Sequence, residues 1–298
     1  MQAARDLEGR TFLVTGASAG IGRATVYALA ARGASVVLAC RSEAKAQPVL
    51  DDIRHLYPGA DIGFLSIDLG DLASVKSAAG VFLASSRPLD VLINNAGIAG
   101  VTGLSKDGYE IAFATNHLGP FLLTKLLLPK LLDAPQGRVV NVASRAHFRA
   151  KVVDWGQMSR PVKKIHSFTQ YGATKLMNIL HAKELAHRLA GTRVTTYSLH
   201  PGVVASELWR EVPWPVANVM KLFFISNEEG AKTTLYCATA PELSSSSGLY
   251  YDDCKEGRMS RLARDECLAR EVFERSEDAI RNGPSSGALA APCPQQSV

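Results

Sequence analysis

Tyr171 and Lys175 stand four residues apart in Tyr171-Gly-Ala-Thr-Lys175. On a helix that spacing puts a phenol and an ammonium on one face. A free tyrosine ionises near about 10, too high for a base at neutral pH, but a nearby positive charge favours the phenolate. The pair could therefore trade a proton with an oxygen of a bound molecule. Helices produce the same spacing by chance, so its weight comes from its neighbours. Ser144 closes the apolar run Val139-Val-Asn-Val-Ala-Ser144, where its hydroxyl could bond a reacting oxygen or simply cap a turn. Asn116 lies inside a long apolar helical stretch and, taken alone, reads as an amide on a solvated face.

A second constellation lies near the start of the chain. Thr15-Gly16-Ala17-Ser18-Ala19-Gly20-Ile21-Gly22 follows an apolar strand and opens a helical stretch. Glycines there allow a tight turn and let a pyrophosphate approach the N–H groups at a helix N-terminus, where the dipole favours negative charge. The same three glycines could also be a purely structural turn.

These residues need a scaffold that brings them together. From residue 11 to about 200, short apolar runs alternate with stretches of helical period, the pattern of a parallel sheet covered on both faces. Strands are expected near Phe12 to Thr15, Ser35 to Ala39, Gly63 to Ile67, Leu89 to Asn94, Arg138 to Ala143 and Thr192 to Leu199, with a short seventh at Leu249 to Tyr251. Helices are expected over Ile21 to Arg32, Glu43 to Tyr57, Leu72 to Ser85, Tyr109 to Leu132 and Thr169 to Leu189. The fold class is α/β: a single-domain, doubly wound Rossmann fold over residues 1–280, with a parallel seven-stranded sheet and helices on both faces. Ligands of such folds bind where the carboxyl ends of the strands line up, so the residues above should converge on that edge. Beyond about residue 280, Asn282-Gly-Pro-Ser-Ser-Gly and the polar chain end read as a disordered tail, 281–298.

In this order the motifs resemble those of the short-chain dehydrogenase/reductase family, whose fingerprint is T-G-x-x-x-G-I-G. Asn94-Asn95-Ala96-Gly97 is similar to the family's N-N-A-G segment, which supports the sheet and walls the adenine side, and Asp68-Leu69 resembles the pair that meets the adenine ring. Asp68 could equally cap the next helix. The resemblance implies a nicotinamide cofactor held by Gly16, Ser18, Ala19, Gly20, Ile21 and Gly22, with Asn95, Ala96 and Gly97 beside it. It implies a catalytic set of Asn116, Ser144, Tyr171 and Lys175, the asparagine backbone holding a water that links the lysine to solvent. His200-Pro201-Gly202-Val203-Val204-Ala205-Ser206 is similar to the P-G-x-x-x-T segment that folds over the nicotinamide, with Ser206 in place of the usual Thr; Pro201, Gly202 and Val204 belong to the same contact set. His200 itself is expected to be packed and hydrogen-bonded rather than an acid or base.

Cofactor choice rests on the end of the second strand, where an acidic residue would bond the ribose hydroxyls of NAD and an Arg would accept the 2′-phosphate of NADP. Cys40-Arg41-Ser42 offers a cation and a hydroxyl and no carboxylate, so NADP(H) is expected; the bland alternative is a solvated surface charge at Arg41. Ser144 and Tyr171 are 27 positions apart, about twice the separation in compact family members. The extra chain, with Leu38-Ala-Cys-Arg41 and Asn116-His-Leu-Gly-Pro-Phe-Leu-Leu-Thr124, resembles the retinol dehydrogenase-like branch, over about residues 8 to 255. That branch implies a lipophilic aldehyde or alcohol, retinoid-like or otherwise, as the small-molecule partner. A reductase of steroids, quinones or xenobiotic carbonyls would share every motif, and a catalytically inactive dinucleotide-binding scaffold is the rival from another class.

Composition narrows the remainder. At 298 residues and 47% hydrophobic content the chain can bury a large core. Its net charge of +5 is spread without a basic block, which argues against nucleic acid. Five cysteines with no C-x-x-C pair, and no secretory segment, suggest a reducing, cytoplasmic setting. Neither Leu118 to Leu132 nor Trp214 to Ile225 is long enough to span a bilayer. No metal-ligand cluster is evident. A substrate lid is expected around residues 205–228, and Val212 to Ile225 within it could be a pocket wall, a homo-oligomer contact or a peripheral membrane contact.

Overall fold

The computed structural model describes residues 5–203 and 225–284. Seven parallel strands form one sheet: β1 (Thr11–Thr15), β2 (Ser35–Cys40), β3 (Ile62–Ser66), β4 (Val91–Asn94), β5 (Arg138–Val142), β6 (Thr195–His200) and β7 (Leu249–Asp252). An eighth, β8 (Lys255–Glu256), adds a two-residue antiparallel edge to the seven expected from sequence. It forms because Asp253 and Cys254 turn the chain back on itself with φ of 51° and 55°, a tight-hairpin conformation that no apolar pattern announces. The strand order is β3-β2-β1-β4-β5-β6-β7-β8. Order therefore reverses between β1 and β4, and the crevice of the fold opens there.

Strands β1, β4, β5 and β6 are buried at every position, as helices on both faces require. On one face the core is built with α3 (Leu72–Ala84), α5 (Gly119–Asp133), α6 (Ser167–Arg188) and α9 (Glu266–Asn282). On the other it is built with α1 (Gly20–Ala31), α2 (Glu43–Leu56) and α7 (Asn227–Thr239). A short α8 (Arg261–Arg264) precedes α9. Helices α7, α8 and α9 were not expected from sequence. In α9 the buried residues Ala269, Val272, Phe273 and Ser276 follow a helical period behind the N-cap Asp265, a signal that was there to be read. This helix runs to Asn282 and Gly283 ends it at φ +77°, so the helix overruns the expected start of the tail; residues 285–298 lie outside the described residues.

The long helix expected over Tyr109 to Leu132 is instead α4 (Ile111–Phe113), a π-helical turn at Ala114–Leu118, and then α5. Such turns shift the backbone ladder by one residue and cluster at functional sites. Ile111–Asp133 is the one described stretch long and apolar enough to cross a membrane. Its most apolar window is 72% buried inside the protein, so it reads as a core helix. A buried polar line also crosses this core. His117 Nε2 meets Ser276 Oγ at 2.8 Å, and His181 Nδ1 meets Asn141 Nδ2 at 3.3 Å. Burial holds both imidazoles neutral, pushing His117 down to about 4 and His181 down to about 3.

Candidate active site

A cavity of about 840 Å³ follows the carboxyl ends of the strands, and most of the described residues singled out by sequence line it. At its floor the glycine loop joins β1 to α1. Gly16 (φ +67°) and Gly20 (φ +56°) take left-handed conformations that side chains rarely adopt. A Cβ on Gly22 would sit 2.4 Å from the Gly16 carbonyl oxygen, so only glycine lets α1 pack this close to the loop. The N-cap of α1, Ala19, supplies no side-chain acceptor, and the first turn has no acidic residue. The helix thus presents uncapped N–H groups to the cavity, a cradle suited to a pyrophosphate.

Asn95 holds this loop in place. Its Nδ2 donates to the Thr15 carbonyl at 2.8 Å, while Thr15 Oγ1 accepts from the Asn95 and Ala96 N–H groups, each at 3.0 Å. Thr15 is a supporting residue that sequence reasoning did not single out. Ser18, Ile21, Asp68, Leu69, Ala96 and Gly97 line the same cavity. Asp68 does not cap α3: its Oδ1 accepts from Gly70 N–H at 2.9 Å in a local turn, and Asp71 is the cap, accepting from Ala73 and Ser74. Arg41 is exposed at the rim. Ser42 accepts from Lys45 N–H at 3.3 Å as the cap of α2, which leaves its own hydroxyl hydrogen free to donate. Lys45 lines the cavity too, a second cation at this end that the motif-based reading missed.

At the other end Ser144, Tyr171 and Lys175 come together from β5 and α6. Tyr171 is 8% exposed and Lys175 3%. The ammonium donates to the Val142 carbonyl at 2.7 Å and lies 5.6 Å from the centre of the Tyr171 ring. A Cβ on Gly97 would fall 3.2 Å from Lys175 Nζ, so glycine there leaves room for the amine. Burial pushes the Tyr171 hydroxyl up to about 12, opposed by a hydrogen bond from Ser144; burial likewise brings Lys175 down to about 8. Without an added positive charge in the cavity, desolvation outweighs the stabilisation of phenolate that the spacing suggested.

Asn116 is brought to this group but not onto the cavity wall. It sits wholly buried in the π-helical turn, with Oδ1 accepting from Ile98 N–H at 2.7 Å and Nδ2 donating to Ile98 O at 2.8 Å and to Thr174 Oγ1 at 3.1 Å. The amide therefore ties the chain after Gly97 to α6, and the solvated-face alternative is wrong. Pro201 and Gly202 line the cavity, and Ile225 N–H donates to Val203 O at 3.0 Å beside them. Val204 and Ser206 lie outside the described residues, as does the expected lid apart from 225–228. His200 is packed as expected: its Nδ1 accepts from Arg145 N–H at 3.3 Å, and burial lowers it to about 4. The chain between Ser144 and Tyr171 includes three 3-10 turns; Arg145, Ala146 and Arg149 of the first line the cavity, as does Phe168 at the start of α6.

The chain is similar to known proteins in sequence and in fold. Residues 10–214 match the family profile described as short chain dehydrogenase. The chain is 40% identical to human dehydrogenase/reductase SDR family member 13 over 296 residues, 97% of this chain and 78% of that protein. It is 40% identical to mouse retinol dehydrogenase 12 over 274 residues, 90% of this chain and 85% of that one. Among solved structures, an uncharacterised protein from Mycobacterium paratuberculosis superposes with a TM-score of 0.75 at 31% identity, covering 94% of this chain and 97% of the other. A protein from Beutenbergia cavernae, assigned as an NAD(P)-dependent gluconate 5-dehydrogenase and described with NADP bound at low occupancy, superposes at 0.68 with 25% identity, covering 84% and 97%. The chain belongs to the short-chain dehydrogenase/reductase family of oxidoreductases, in its retinol dehydrogenase-like branch.

The buried amine makes a prediction about stability alone. Lys175 releases its proton near 8 in the folded chain against an ordinary 10.5. Between those values the unfolded chain binds more protons, so this group's cost to folding is full below about pH 8 and fades as pH rises through that window. Lys175→Met should therefore be more stable than wild type at pH 7, by on the order of 1 kcal/mol after loss of the bond to Val142, and the advantage should vanish by about pH 10. Urea melts of both proteins across that range check this; an advantage constant with pH would contradict it.

Proposed function

We propose that this protein is an NADP(H)-dependent oxidoreductase that interconverts an alcohol and an aldehyde or ketone on an apolar small molecule. One observation carries the reading: Ser144, Tyr171 and Lys175 share a single cavity with an uncapped helix N-terminus and a glycine loop that admits no side chain at Gly22. That cradle fits a dinucleotide pyrophosphate, and the other end of the cavity offers Arg41, Ser42 and Lys45 to a 2′-phosphate. A bound nicotinamide would supply or accept the hydride and bring positive charge in its oxidised form.

The chain's own residues would do the rest. Ser144 accepts from Ala146 N–H at 3.1 Å, so its hydroxyl hydrogen is directed to Tyr171 and can be shared with a reacting oxygen placed beside it. Tyr171 delivers the proton to that oxygen in the reduction direction and takes it back in oxidation. Lys175, fixed by Val142, keeps a positive charge beside the phenol. Asn116 acts from behind by holding the Ile98 backbone against α6. Phe168 offers an apolar surface at this end of the cavity, and the names of the retinol dehydrogenase relatives favour a retinoid or similar lipophilic carbonyl.

NADPH oxidation is to be followed against retinal, medium-chain aldehydes, steroid ketones and quinones. Tyr171→Phe should bind NADPH as wild type does yet lose about a hundredfold or more in kcat; near wild-type turnover would refute its role. Wild type should favour NADPH over NADH in kcat/KM, and Arg41→Ala should reduce that preference by about tenfold, a loss near 1.4 kcal/mol. A wild-type preference for NADH would overturn the cofactor assignment.

A further inference from the structure

Ser144 can bond a reacting oxygen only if its main chain is fixed. Three tethers hold it. Ala143 N–H donates to Leu199 O at 2.8 Å, which continues the sheet, and Arg145 N–H donates to His200 Nδ1 at 3.3 Å. The third tether acts on the carbonyl of Ser144 itself and comes from His147 twice, through its backbone N–H at 3.1 Å and its ring Nδ1 at 2.7 Å.

The ring is fully specified by its partners. A carbonyl oxygen can only accept, so Nδ1 carries the proton; Ser260 N–H can only donate, at 3.2 Å, so Nε2 is bare. The imidazole has no exposed surface, and the Tyr250 ring meets it edge-on with centroids 5.2 Å apart. Burial lowers its proton affinity further, in keeping with a neutral ring. Nothing about it suits an acid or base, since both nitrogens are occupied by main-chain groups. Both nitrogens of this buried ring thus find the opposite partners that a neutral imidazole needs, three and 113 residues away in sequence, and one of them is the carbonyl of Ser144 itself.

We propose that His147 is a positioning residue for the reaction: through Nδ1–H it fixes the Ser144 carbonyl, and with it the direction of the Ser144 hydroxyl toward Tyr171, while Nε2 ties this turn to the segment that begins α8. The proposal rests on the reading of Ser144 as the residue that bonds the reacting oxygen.

Two variants separate the two bonds. In His147→Asn the amide nitrogen takes the place of Nδ1 and can still donate to Ser144 O, whereas the bond to Ser260 is lost. In His147→Gln the side-chain oxygen reaches the place of Nε2 and can still accept from Ser260, whereas the side-chain bond to Ser144 is lost and only the backbone N–H of residue 147 still holds that carbonyl. Turnover should stay within about threefold of wild type in His147→Asn and fall by about tenfold or more in kcat in His147→Gln, with KM for NADPH unchanged in both. Crystal structures of the two variants read the same point without turnover: the Ser144 to Tyr171 hydrogen bond should persist in the first and break in the second. Equal losses of kcat, or a Ser144 hydroxyl that stays on Tyr171 in His147→Gln, would overturn the proposal. A wild type that reduces no carbonyl while the crystal arm behaves as stated would fault the proposed activity and leave the tether standing.

Discussion

The site is organised around an ammonium almost entirely removed from water. Lys175 is held by the Val142 carbonyl, the last residue of β5, and burying that charge costs enough to bring its proton affinity well down. Its neighbours obey that constraint. A side chain on Gly97 would crowd the amine, Asn116 pins the chain after Gly97, and Tyr171 lies one helical turn earlier in the same small volume. These groups come from separate parts of the chain, and only the alignment of strand ends at the reversal of sheet order brings them together.

A phenol buried this deeply is a poor base by itself, and the Lys175 ammonium nearby does not outweigh its desolvation. Tyr171 is pushed to about 12 despite the bond from Ser144. In the proposed chemistry, that makes proton transfer conditional: the phenol becomes acidic only when positive charge enters the cavity beside it. An enzyme so built would not leave a reactive phenolate exposed between turnovers.

Most of the fold and much of the site were legible in the sequence, because both depend on local pattern. Alternating apolar runs marked the positions of the seven parallel strands, and the spacing of Tyr171 and Lys175 is a property of one helix. What was hidden depends on contacts between distant residues. Taken alone Asn116 looked solvated, because nothing local shows that Ile98 and Thr174 close over it, and no propensity marks the π-helical turn it sits in. Asp68 and Asp71 are both plausible caps three residues apart, and only the direction of the helix start decides for Asp71. Lys45 belongs to no motif, and His147 gains its meaning from Ser260, 113 residues later.

The most direct test of the account is the ionisation of Tyr171 itself, followed by the chemical shift of a ring-labelled tyrosine and assigned by comparison with a Tyr171→Phe sample. The free protein should show this phenol protonated up to about pH 12, and saturation with NADP+ should lower its midpoint by about two units or more. A midpoint unmoved by the oxidised cofactor, in a protein shown to bind it, would contradict the claim that the cavity makes this phenol acidic on demand.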